Sequence, residues 1–266
     1  MSRWAKIRDC LYPMVSFLLI MVMATMIVTI ICAAVTGEYD LNSPKQKAMP
    51  LLVNILYYGF SLFYQRNYFQ GDEERFFRDR KRVHPAVLIS AAVFAACAGE
   101  LLVFAICGTG IPKIFSRYSG LAAASFEGQN PILLTAASVV LAPLAEEQIF
   151  RGMMYRRIRS YLGVPAGVLL SAAAFGIYHA NFVQFIYAAA LGILFALLYE
   201  KTRTLIVPVI CHAAANAAEI LRSRLGFSAA DPPFAMAAAE AAAAALCLIF
   251  LIRRLRKPSG GADAAA

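Results

Sequence analysis

Apolar residues in this chain fall in long runs, and short polar and charged stretches separate them. A helix crosses a bilayer with ~20 apolar residues. Eight runs approach that length, at 14–36, 48–65, 85–107, 129–150, 164–181, 182–199, 204–221 and 234–252. The fifth and sixth nearly touch, so the stretch YHANF at 178–182 is either a tight turn or the break in a paired helix. The pattern predicts an all-α, polytopic membrane protein of about eight transmembrane helices, with any active site inside the bundle.

Composition agrees with the pattern. The chain is 61% hydrophobic and 15% charged, with mean hydropathy +0.64, whereas soluble domains are about half apolar and a quarter charged. The N-terminus places Arg3, Lys6 and Arg8 before an apolar run, as a signal peptide does. The run from Met14 to Val35 is long enough to span, so it is read as a retained first helix. The net charge of +9 is concentrated in alternate connections. Basic residues cluster at the N-terminus, at Arg66 to Arg82, at Arg156, Arg157 and Arg159, at Lys201 and Arg203, and at Arg253 to Lys257. The opposite connections hold only Lys45 and Lys47, Lys113 and Arg117, and Arg222 and Arg224. By the positive-inside rule both termini are cytoplasmic, and the expected location is a bacterial cytoplasmic membrane. The partner expected from composition and charge is the lipid bilayer; no basic face suits nucleic acid. Residues 66–84 carry four aromatics, but Asp72, Glu73, Glu74 and Asp79 favour a solvated loop. The tail PSGGADAAA is expected to be disordered. Six cysteines without a C-x-x-C spacing support neither a disulfide framework nor a zinc knuckle.

Ionisable and amide groups inside a membrane are costly and tend to face an interior cavity. They are Glu100, Glu146, Glu147, Arg151, His179, His212, Asn216, Glu219 and Glu240. Glu147 and Arg151 lie four apart on one helix face and can pair. Glu146 is turned ~100° away, with no basic residue at i+3 or i+4. One acid is thus neutralised and the other left to act as a general base or acid. A helix end at the interface, with Arg151 reaching to headgroups, explains the charges equally well. Phe175 and His179 are also four apart, as are His212 and Asn216. A single histidine on an apolar face serves as readily as a hydrogen-bonded core residue, and Ala213 to Ala215 suit close helix packing. Together, an acid, imidazoles and an amide from three helices would make a water-activating site with donors for an oxyanion.

Glu146-Glu147-x-x-x-Arg151, Phe175-x-x-x-His179 and His212-x-x-x-Asn216 resemble, in that order, the motifs of the CPBP intramembrane protease family. The family is also known as the CAAX-protease, bacteriocin-processing or Abi family. The resemblance covers roughly residues 130–220 and implies three parts: N-terminal helices and a cytoplasmic loop at 1–127, a protease core at 128–222, and a last helix and tail at 223–266. It implies that Glu146, with His179, activates a water. His212 and Asn216 would then stabilise the oxyanion, while Glu147, Arg151 and Phe175 support the site. It implies a membrane-associated peptide or protein as the substrate partner, and no cofactor. In the family's glycine-bearing packing segment this chain has Gly192, but Ala196 and Arg203 stand where glycines are expected.

Other readings stay open at this point. Glu146, His179 and His212 could be three zinc ligands with one open position, although no H-E-x-x-H occurs. The same residues could line a transporter path, or the chain could be a non-catalytic immunity scaffold. Helical rise puts Glu146 ~15 Å before Arg156, but His179 ~22 Å beyond Val164. The two meet only if the fifth helix starts outside the core, is tilted or is displaced. Glu100, Glu219 and Glu240 are read as interface-facing or locally paired.

Overall fold

A computed structural model describes residues 2–37, 49–76, 82–109, 130–227 and 232–255. They form nine helices and no strand: α1 (Arg3–Thr36), α2 (Met49–Tyr64), α3 (Arg66–Phe76), α4 (Pro85–Gly108), α5 (Pro131–Leu162), α6 (Val164–Tyr178), α7 (Phe182–Thr202), α8 (Ile206–Arg224) and α9 (Phe234–Leu255). The protein is an all-α polytopic membrane protein. α1, α4, α5, α7 and α9 are long and apolar enough to span a bilayer; α2 and α6 are apolar but shorter. Large apolar side chains such as Leu19, Ile30, Ile89 and Leu246 are exposed on the outer faces, which suits lipid rather than water. The tail, residues 77–81, and Lys45, Lys47, Lys113 and Arg117 lie outside the described residues.

Three expectations need correction. The stretch after the second run is not a solvated loop: residues 66–76 are helical, and Asp72 is buried against Arg157 at 2.7 Å. The fourth run does not stop at residue 150. α5 continues to Leu162, so Arg156 and Arg157 are buried helical residues rather than loop residues. The first helix begins at Arg3, not near residue 14.

The extension of α5 removes the mismatch in depth. Glu146 lies sixteen residues before Leu162, and His179 fifteen after Val164, so both stand ~22–24 Å from the turn at Gly163. α6 does start beyond Arg156, as closure requires. The YHANF stretch is a tight turn. His179 caps α6, Ala180 adopts φ 51°, and the Asn181 side chain accepts from the Val183 and Gln184 amides at the start of α7. α6 and α7 then pack side by side. At Gly176 a Cβ would sit 2.8 Å from the Phe185 carbonyl oxygen, so only glycine permits that approach.

Two prolines shape the helices that carry the charges. Proline has no N–H for the carbonyl one turn before it. Pro13 in α1 therefore leaves the Asp9 carbonyl open, and Arg157 Nη1 donates to it at 2.8 Å. Arg157 also binds Asp72, so one guanidinium ties α5 to α1 and α3. Nearby, Glu200 of α7 receives Arg159, Tyr155 and Arg203. In α5, Ala136–Leu141 widens into a π-helix just before Pro143. A second π-helical stretch, Gln148–Tyr155, follows Glu147. Such widened turns concentrate at functional sites because they re-aim side chains.

Candidate active site

The largest buried cluster includes Phe17, Tyr57, Tyr58, Phe150, Met153 and Phe175, and the polar residues of interest sit against it. Glu146, Glu147 and Arg151 lie between the two π-helical stretches or within the second, and all are at most 3% exposed. Arg151 Nη1 donates to Glu147 Oε1 at 2.9 Å, the pair anticipated from their spacing. The rest of the guanidinium lies over aromatic faces, its carbon 4.5 Å from the Phe175 ring centre and 5.3 Å from that of Phe195. Gly192 makes room for it, because a Cβ there would be 3.1 Å from Arg151 Nη2.

His212, on α8, stands between the two glutamates. Its Nδ1 is 3.0 Å from Glu147 Oε1 and its Nε2 is 3.7 Å from Glu146 Oε2. A carboxylate paired with arginine only accepts, so Nδ1 carries the proton and Nε2 is turned toward Glu146. His179 ends α6 with Nδ1 2.8 Å from the Phe175 carbonyl oxygen. A carbonyl also only accepts, so Nδ1 is again the donor and the neutral ring keeps its basic lone pair on Nε2. The Phe175 ring meets both imidazoles edge-on, at 5.0 Å from His179 and 5.5 Å from His212. His179 lies within reach of the Glu146 charge. Asn216, one turn beyond His212, points to α5, where Nδ2 donates to the Ser138 carbonyl at 2.7 Å.

The residues assigned to the candidate site, Glu146, Glu147, Arg151, Phe175, His179, His212 and Asn216, therefore lie on α5, on α6 and its C-cap, and on α8. Their pairing differs in detail: the direct partner of Glu147 includes His212, and Glu146 is shared between His212 and a residue not singled out. That residue is Tyr58 of α2, whose hydroxyl donates to Glu146 Oε1 at 2.8 Å. The signal available was the paired tyrosine in the apolar run ILYYGF, which reads as core until its partner is known. A cleft of about 320 Å³ between α5 and α8, lined in part by Thr135, Val139, Ala217 and Ile220, opens beside the Ser138–Asn216 link. Glu100 pairs with Arg222 across α4 and α8, away from this site. Among the described residues, no three His, Cys, Asp or Glu side chains are placed to hold a metal ion.

Comparison with known proteins singles out the same segment. Residues 128–218 match the family described as type II CAAX prenyl endopeptidase Rce1-like. A stretch of 86 residues is 31% identical to "Putative membrane peptidase YdiL" of Bacillus subtilis (strain 168), covering 32% of this chain and 35% of that protein. The chain thus spans about a third of that relative's length. No solved structure matches. The stretch similar to Rce1-like endopeptidases, residues 128–218, contains Glu146, His179, His212 and Asn216.

Proposed function

We propose that the chain is an intramembrane endopeptidase that hydrolyses a peptide bond of a membrane-associated or lipidated substrate, in the manner of CAAX processing. The observation that carries the reading is the convergence, in one buried volume, of Glu146 and His212 at 3.7 Å, Glu147 and His212 at 3.0 Å, and Phe175 against both imidazoles. Glu146 takes a proton from water as the oxygen attacks the scissile carbonyl, assisted by His179, whose free nitrogen is Nε2. The proton then passes to the leaving amine. The developing oxyanion is met from α8: Asn216 keeps one Nδ2 hydrogen beyond the one given to Ser138, and His212 offers Nε2–H when doubly protonated. Glu147 and Arg151 hold the His212 ring in place.

Placing both termini in the cytoplasm follows from the basic ends. It is consistent with Asp9, Asp72, Arg157, Arg159 and Glu200 forming a charged layer at one end of the bundle. The proposal needs no metal. The test is cleavage, by the detergent-purified chain, of a prenylated CAAX peptide and its unprenylated counterpart, with and without chelator. Cleavage of the prenylated peptide that survives chelation and disappears in Glu146→Ala and His179→Ala is expected. Variants that cleave as well as wild type would end the reading, and loss on chelation would favour zinc.

A further inference from the structure

Glu146 is gripped from a helix outside the segment that matches the peptidase family. Tyr58 donates to Oε1 at 2.8 Å, while the other oxygen, Oε2, is the one facing His212 Nε2 at 3.7 Å. We infer that Tyr58 is a positioning residue: its hydroxyl fixes one oxygen of Glu146 so that the other is presented to the reacting water. This rests on the proposed role of Glu146 as the base.

A glutamate carboxylate rotates about a broad, two-fold torsion. Without a partner on one oxygen, either could face His212. Tyr58 is well placed to remove that freedom, because its own ring is clamped. It lies 4.1 Å from the Tyr57 ring centre and 6.2 Å from that of Phe17, and is itself buried. Its hydroxyl has one hydrogen, and a carboxylate only accepts, so that hydrogen belongs to Glu146. Tyr57 is hydrogen-bonded to Tyr178, which precedes His179 and meets its ring at 5.2 Å. The tyrosine cluster therefore ties the base on α5 to the α6 end that bears the imidazole. In the reaction the water proton moves to Glu146 Oε2 and then to the amine, and Tyr58 keeps its proton throughout.

The groups around Glu146 are Tyr57 and Tyr58 from α2, Tyr178 and His179 from α6, His212 from α8, and Glu147 and Arg151 on α5. A hydrogen bond to a charged group is worth ~1.5–3 kcal/mol, which corresponds to a ten- to hundredfold effect. Tyr58→Phe keeps the ring and removes the donor. It is expected to lower kcat by about ten- to hundredfold with KM within about twofold, and to move the acid limb of the kcat/KM profile to higher pH. Tyr64→Phe, which removes an α2 hydroxyl that meets Tyr12 rather than Glu146, should leave that limb in place. A readout without substrate is infrared titration of the carboxyl band that Glu146→Gln abolishes: in Tyr58→Phe it should titrate at higher pH than in wild type. An unmoved band or limb in Tyr58→Phe overturns the inference. If Glu146→Gln retains full activity, the reading of Glu146 as base fails instead, whatever Tyr58 does.

Discussion

Asn216 Nδ2 donates to the Ser138 carbonyl at 2.7 Å. The acceptor is open for a covalent reason. The Ala142 amide, four residues on, bonds to Ala137 through the π-helical turn, and the fifth residue on is Pro143, which has no N–H. One proline thus prepares the docking point that aims an amide of α8 at α5. Replacing Pro143 with Ala restores a backbone donor to Ser138 whether the turn stays widened or relaxes. Asn216→Ala should cost about 1–3 kcal/mol in the wild-type background, as an open buried carbonyl does, and clearly less in Pro143→Ala. Denaturant unfolding of the four chains in detergent measures the coupling; additive effects would refute it.

The Glu147–Arg151 pair is fully buried. Removing one partner of such a pair strands a charge, at about 3–5 kcal/mol. Arg151→Met should therefore destabilise strongly, and Glu147→Gln/Arg151→Met should recover part of the loss. Arg151→Lys should not rescue, because lysine lacks the plane that lies over Phe175 and Phe195. Thermal unfolding in detergent distinguishes these outcomes.

The α6–α7 contact sets where His179 stands. Gly176→Ala would put a methyl 2.8 Å from the Phe185 carbonyl oxygen. The helices must part, at about 1–3 kcal/mol, and the turn bearing His179 moves with them. Activity should fall further than stability alone explains, as measured by kcat at a temperature where the variant remains folded.

How much of this was legible in the chain depended on which forces acted locally. Helix positions and the Glu147–Arg151 pair follow from apolar run length and four-residue spacing, both of which are local. The end of α5 was misplaced because Arg156 and Arg157 look like loop residues; their burial depends on Tyr199, Asp72 and the Asp9 carbonyl, all distant in sequence. Tyr58 was missed for the same reason, since a tyrosine in an apolar run declares its partner only in three dimensions. Arg203 shows the reverse case. Where the family pattern expects glycine, this arginine adopts φ 55° and binds Glu200 through Nε and Nη2.

That position yields its own prediction. An L-residue at positive φ carries ~1–2 kcal/mol of strain that glycine avoids. Arg203→Gly loses the contacts to Glu200 but relieves the strain; Arg203→Ala loses the contacts and keeps the strain. The alanine chain should be the less stable of the two by about 1 kcal/mol, as read by unfolding midpoint. Equal midpoints would show that the backbone there is unstrained.

Asp72 predicts a pH effect. Burial raises its carboxyl above the usual range, although the Arg157 guanidinium opposes the shift. The native state therefore binds this proton more readily than the unfolded chain does. The carboxyl favours folding most below its ordinary titration range, and that contribution is lost as pH rises through the raised native value. The melting temperature of wild type relative to Asp72→Asn should thus be higher at about pH 4 than at about pH 7. A difference that grows with pH would reverse the sign.

The central claim is that Glu146 moves the proton. The direct measurement is kcat/KM for a prenylated CAAX peptide with wild type and with Glu146→Gln, which keeps the shape and the Tyr58 contact but cannot act as a base. General-base catalysis is worth ~10²–10⁴-fold, so a loss of that size with unchanged folding is the result expected. A Glu146→Gln chain that cleaves at the wild-type rate would contradict it.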